Sequence, residues 1–241
     1  MRTPDKLYEF HVANLRAVTD GLHRLSLGLH HALAIEDNRS SSALLRIYAL
    51  VLASWAECRL RKLLYEPHGF SDGERRRVLK LPTEVDKWRG AVEIAFRKHY
   101  GVAHAPLSGD TLAHSVYARY ASIMDLLDND LQAVIHLRNK LAHGQWEYPL
   151  NDDGDDIAQL QMDDLRSETI LSLQFKKTLL TYLSSIVNDL VVSRPAFERD
   201  FDTHYERIVN TRRNLHRRPY DRYVTSLRAK HERGIARRAR V

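Results

Sequence analysis

Leu7, Leu15, Val18, Leu22, Leu25 and Leu29 recur at threes and fours. At 3.6 residues per turn they form one apolar stripe, so 5–35 reads as a single long amphipathic helix. The same period runs through most of the chain. The stretch 43–65 is apolar nearly all round at first, which predicts a central helix packed on more than one side. Val85, Trp88, Val92 and Phe96 share one side of a helix over 83–100. Helical signal continues from 111 to 143, with a break expected at Asp128-Asn129-Asp130, and returns over 166–192 and 196–210. Between these segments lie Asp37 to Ser42, suited to cap the next helix, then Pro67 and Gly69, the charged stretch 71–80, a loop over 101–109, and an acidic loop over 151–156. Ten Gly and seven Pro in 241 residues are too few turn formers for a strand-and-turn architecture. The expected fold is all-α: an antiparallel helical bundle of four to five long helices over 1–193, followed by a helical, Arg-rich basic extension over 194–241.

Charge is placed unevenly. The net charge is +6, yet 207–241 holds 12 Lys and Arg against two acids, leaving a net −4 on 1–206. An Arg-rich end is an electrostatic footprint for nucleic acid, or equally a solvated tail. Tyr220 and Tyr223 lie among Arg212, Arg213, Arg217, Arg218 and Arg222. Aromatics for stacking and arginines for phosphate make these seven the candidate RNA-binding set. The same residues would also serve a surface helix that packs its tyrosines on the bundle.

The single cysteine, Cys58, forms no internal disulfide and reads as a small hydrophobe in an apolar stretch. Together with an N-terminus that lacks a signal-type apolar core, this points to the reducing cytoplasm. The longest apolar runs are short or interrupted by Lys176, Lys177 and Asp189, so both read as core helices and no membrane contact is expected. There is no phosphate-cradling glycine loop, no His-Glu-x-x-His and no Cys-x2-Cys pair, which argues against an NTPase and a zinc site, and the helical pattern argues against an α/β hydrolase. No cofactor and no metal are called for.

The stretch that carries chemistry is His136-Leu-Arg138-Asn139-Lys-Leu-Ala-His143-Gly144. At about 100° per residue, His136, Asn139 and His143 line one helix face. Arg138 is five residues from His143, and on a straight helix the two point about 140° apart. They meet on one phosphate if the helix end unwinds, if Arg138 curls round, or if a second copy completes the site. RNA supplies its own nucleophile, the 2′-OH. Cleavage needs a base for that proton, an acid for the leaving 5′ oxygen and positive charge on the phosphate. Histidine suits the proton transfers, arginine suits the phosphate, and asparagine can orient either.

Arg138-Asn139-x3-His143-Gly144, preceded by an apolar helix, resembles the Arg-polar-x3-5-His signature of HEPN-superfamily ribonucleases. Leu50 to Arg61, with Glu57 after its apolar run, is similar to an earlier helix of that family. The resemblance covers about residues 5–193. It implies a helical bundle that dimerises, and metal-independent endonucleolytic cleavage of RNA to 2′,3′-cyclic phosphate and 5′-OH ends. It also implies a toxin or anti-phage role, with an antitoxin or sensor protein as partner. Arg138, Asn139 and His143 are then the catalytic candidates, with Glu57 and His136 as supporting residues. Four other readings stay open, one of them a DNA-binding regulator that uses the basic tail. Arg138 and His143 serve as cationic caps at a helix C-terminus. Glu57 pairs with Arg61 one turn on. The bundle is a non-catalytic interaction module that binds nucleotide, RNA or a protein partner.

Overall fold

The computed structural model describes residues 3–217 and 219–238. It is all-helical, and its long helices are the expected ones. α1 (Pro4–Ala34) starts at Thr3, whose hydroxyl accepts from the Lys6 N–H at 3.4 Å. α2 (Asn38–Leu64) follows after a three-residue turn. Tyr8 donates to Glu66 at 3.2 Å and Trp55 donates to Thr19 at 3.1 Å. These contacts run the two helices antiparallel along their length.

α2 is the centre of the molecule. It buries Tyr48, Leu52, Trp55, Leu60 and Leu64 and packs on α1, α6 and α8. It starts five residues before the apolar run, because Asp37 accepts from the Ser40 N–H at 3.0 Å and turns the polar stretch into the first helical turn.

The charged stretch at 71–80 is helical as α3 (Asp72–Leu79), closed by a capping box between Ser71 and Glu74. Arg75 is buried there beneath the ring of Tyr65, 5.0 Å from its centroid. α4 (Glu84–Tyr100) buries Val85, Trp88, Val92 and Phe96 as its period predicts. α5 (His114–Leu126), a π-helical segment (Leu127–Leu131) and α6 (Gln132–Ala142) form one continuous rod. The break expected at Asp128-Asn129-Asp130 is thus a widened turn instead of an interruption. A π turn admits one extra residue while keeping the apolar residues on both sides inward. Leu127 and Leu131 are both buried.

α7 (Gln159–Ser167) lies mostly between the acidic loop at 151–156 and the next expected helix, where none was expected, because Met162 and Leu165 turn inward. α8 (Ile170–Val192) begins four residues later than its period suggests, after a capping box between Thr169 and Ser172. α9 (Arg194–Arg217) turns back on α8 after Ser193. Its Phe197, Phe201 and Ile208 belong to the same hydrophobic core as Leu52, Phe96 and Leu183. α10 (Tyr220–Arg238) lies against α1. The described part of the basic segment is therefore folded onto the bundle, α9 through its core and α10 on its flank. No helix among the described residues is long and apolar enough to cross a membrane.

Candidate active site

α6 turns Val134, Ile135, Leu137 and Leu141 into the core, which forces His136, Asn139 and His143 outward. The helix stays α-helical to Ala142 and does not unwind at the motif. It ends in a Schellman turn. His143 is the cap residue, Gly144 has φ of 77°, the Gly144 N–H donates to the Leu141 carbonyl, and the Gln145 N–H donates to that of Lys140. The Trp146 indole adds a second donor to the Leu141 carbonyl at 2.9 Å. Backbone and tryptophan thus satisfy these last carbonyls, and the His143 imidazole makes no hydrogen bond among the described residues. The capping reading accounts for the backbone of His143 but leaves its side chain without a task.

His136, Asn139 and His143 open into one groove of about 770 Å³, as the helical spacing predicts. Lys140, Gln145, Asn151, Asp152 and Gln161 complete much of its wall. His136 and Asn139 also line a second, smaller depression of about 230 Å³ with Asp86 and Arg89 of α4. His136 and His143 are both exposed, which suits groups that exchange protons with a substrate.

Arg138 does not line the groove. It faces α2, where its Nη2 is ion-paired with Glu57 Oε1. Its Nη1 donates to Asn139 Oδ1 at 3.0 Å. The structure therefore brings Asn139 and His143 together directly, and Arg138 only at one remove, through Asn139. Glu57 pairs across the α2–α6 seam and not with Arg61, because α6 packs on the face of α2 that carries it. Arg61 instead lines a cavity with His11 and Cys58. Cys58 is half-buried, and burial raises its thiol pKa against the opposing effect of Arg61.

The expected RNA-binding set at the C-terminal end is divided between residues that contact the bundle and arginines that stay exposed. Arg212 is tied into the bundle by Asp130, and by Asp125 at 3.1 Å. Tyr220 and Tyr223 stack on each other at 6.3 Å and pack against the core. The Tyr223 hydroxyl lies 2.7 Å from His30 Nε2. Both rings are half-buried against the bundle. Arg213, Arg217 and Arg222 remain exposed, and Arg218 lies outside the described residues. Arg212 bonds the π segment at Asp130, while the groove runs from His136 to His143, about 9 to 20 Å away along the axis.

Lys140, Gln145, Asn151, Asp152, Ala158 and Gln161 are the groove residues that the motif does not single out. Only the adjacency of an acidic loop to a basic motif hinted at Lys140 and Asp152. Among the described residues, no three His, Cys, Asp or Glu side chains converge as a metal site would require. No family model, curated protein or solved structure matches this chain.

Proposed function

We propose that the chain is a metal-independent endoribonuclease with its active site in the groove at the C-terminal end of α6. The observation that carries this reading is the pair of exposed imidazoles, His136 and His143, facing one groove with Asn139. RNA cleavage by internal transfer needs two proton-transfer groups and a cation, and no redox partner. One histidine takes the proton of the 2′-OH. The 2′ oxygen bonds to phosphorus, the bond from phosphorus to the 5′ oxygen breaks, and the acid returns a proton to that oxygen. His143 is the leading candidate for one of these roles, with His136 on the same face as the candidate for the other. Asn139 orients the phosphate or the ring. Arg138 reaches the phosphate by giving up Glu57, or serves the groove of a second copy, which supports a homodimer as the working form. A ribonuclease acting in a reducing, cytoplasmic compartment requires restraint, so a defence or toxin role with an antitoxin or sensor protein belongs to the same proposal.

The test is cleavage of a labelled RNA pool in EDTA with analysis of product ends. Wild type is expected to leave 2′,3′-cyclic phosphates. His143→Ala is expected to lose at least about 100-fold in rate, and Arg138→Ala to fall with it. Full activity in His143→Ala overturns the assignment.

A second reading has its own observation. Arg138 is engaged by Glu57 and an acidic loop borders the groove, as would suit a non-catalytic module that binds a cationic protein segment. That reading predicts no turnover and no RNA retention by any variant.

A further inference from the structure

One groove side chain is passed over by the motif. Lys140 lines the groove with His136 and His143, whereas Arg138, two residues earlier, does not. The Lys140 ammonium donates to the Leu150 carbonyl at 2.6 Å and to the Asp152 carboxylate at 3.4 Å. Its side chain is only 18% exposed. Both acceptors belong to the segment that follows α6, and that segment is a closed unit. Asn151 Oδ1 accepts from the N–H groups of Gly154 and Asp155 at 2.8 and 3.1 Å. Asn151 Nδ2 donates to Asp155 at 2.7 Å, and Leu150 bridges to Ile157. Gln145 of the groove wall accepts from the Leu150 N–H at 2.9 Å. Asp152 itself is fully exposed, and Asp153 is exposed beside it. A polyanion entering the groove therefore meets a negative lip first. It meets a Lys140 ammonium that a carboxylate and a carbonyl already engage.

We propose that Lys140 is a further phosphate-binding cation of this groove, besides Arg138, and that the loop over 150–157, through Asp152, is a displaceable anionic guard that holds Lys140 until a nucleic-acid phosphate takes it. The inference rests on reading the groove as an RNA site. The hold by Asp152 is weak, since an exposed carboxylate at this distance is strongly screened by water and salt. A phosphodiester brings a full charge and two unesterified oxygens to the same ammonium.

The test uses the full chain carrying His143→Ala, so that RNA is not consumed. Binding of a fluorescein-labelled single-stranded RNA of mixed sequence is followed by anisotropy over a salt series. Asp152→Asn with Asp153→Asn leaves intact the bonds that close the loop, which run through Asn151, Asp155 and Asp156. This variant is expected to bind about three- to tenfold more tightly at low salt, with the gain fading as salt rises. Lys140→Gln in the same background is expected to cancel the gain and to reduce the salt slope by about 0.7. Lys140→Arg, which keeps the charge, is expected to retain binding, and matched Tm values show that the fold is intact. An unchanged affinity on neutralising Asp152 and Asp153 overturns the guard. An unchanged affinity in Lys140→Gln overturns the role of the lysine. Both of these outcomes leave the RNA reading standing. Absence of RNA binding in every variant at the lowest salt overturns that reading and the inference with it.

Discussion

Arg138 of α6 and Glu57 of α2 are ion-paired across the seam between their helices, with side chains 27% and 26% exposed. The pair aims the guanidinium fork so that its other arm meets Asn139 at the groove edge. Removing either partner leaves a charge partly covered and unmatched. Glu57→Gln and Arg138→Ala are each expected to lower stability by about 0.5–1 kcal/mol. A double-mutant cycle in urea is expected to show a coupling of similar size. A coupling of zero would mean that the two side chains are neighbours without mutual support.

Gly144 holds φ of 77° in the turn that ends α6. A Cβ there meets no heavy atom within 4 Å, so any cost comes from the backbone alone. Gly144→Ala is expected to lose about 1 kcal/mol in chemical denaturation. Under the proposed ribonuclease function it should also blunt cleavage by loosening His143, the preceding residue. An unchanged denaturation midpoint would show that the turn tolerates a side chain.

Arg212 and Arg213 are adjacent but have different roles. Arg212 is 31% exposed and bound by Asp125 and Asp130, whereas Arg213 is exposed and donates to Asn210 at 3.2 Å. Arg212→Ala is expected to cost about 1–2 kcal/mol of stability, and Arg213→Ala less than about 0.5 kcal/mol. If the salt slope of RNA binding falls with Arg212→Ala while its Tm holds, Arg212 faces the nucleic acid and not the bundle.

His30 joins α1 to α10 through Tyr223. Burial, reinforced by the charge of Lys230, lowers its pKa below the ordinary 6.5. The neutral ring accepts the tyrosine hydroxyl hydrogen bond. The unfolded chain takes up the proton more readily than the folded one, so this contribution to stability is present above pH 6.5 and is lost as pH falls below it. Tm is expected to be lower at pH 5.5 than at pH 7.5. His30→Gln keeps an acceptor without titrating and should flatten part of that difference. His11, lowered by burial and then by Arg61, supplies a remainder of the same sign. A pH profile identical in His30→Gln and wild type would separate the α1–α10 contact from this ionisation.

The helices were legible because their information is local. The stripe through Leu15, Leu22 and Leu29 determines one buried face whatever packs upon it. The i, i+3, i+7 spacing of His136, Asn139 and His143 likewise determines that they share a face. Two helices were missed for the same reason. α3 and α7 are short and highly charged, and they depend on a capping box or on two inward residues instead of a sustained stripe.

What the sequence alone determined, then, is the all-helical class, the central position of α2, and a histidine–asparagine face at the end of α6. The partners of the charged groups were decided by tertiary structure. Arg138 could turn toward the groove or toward α2, and the packing of α6 on α2 placed Glu57 within its reach. Arg212, Tyr220 and Tyr223 have the composition of an RNA-binding tail. The return of α9 along α8 and the docking of α10 on α1 made them structural contacts. Periodicity follows from the chain's own geometry, whereas an ion pair between residues 57 and 138 depends on where two helices cross.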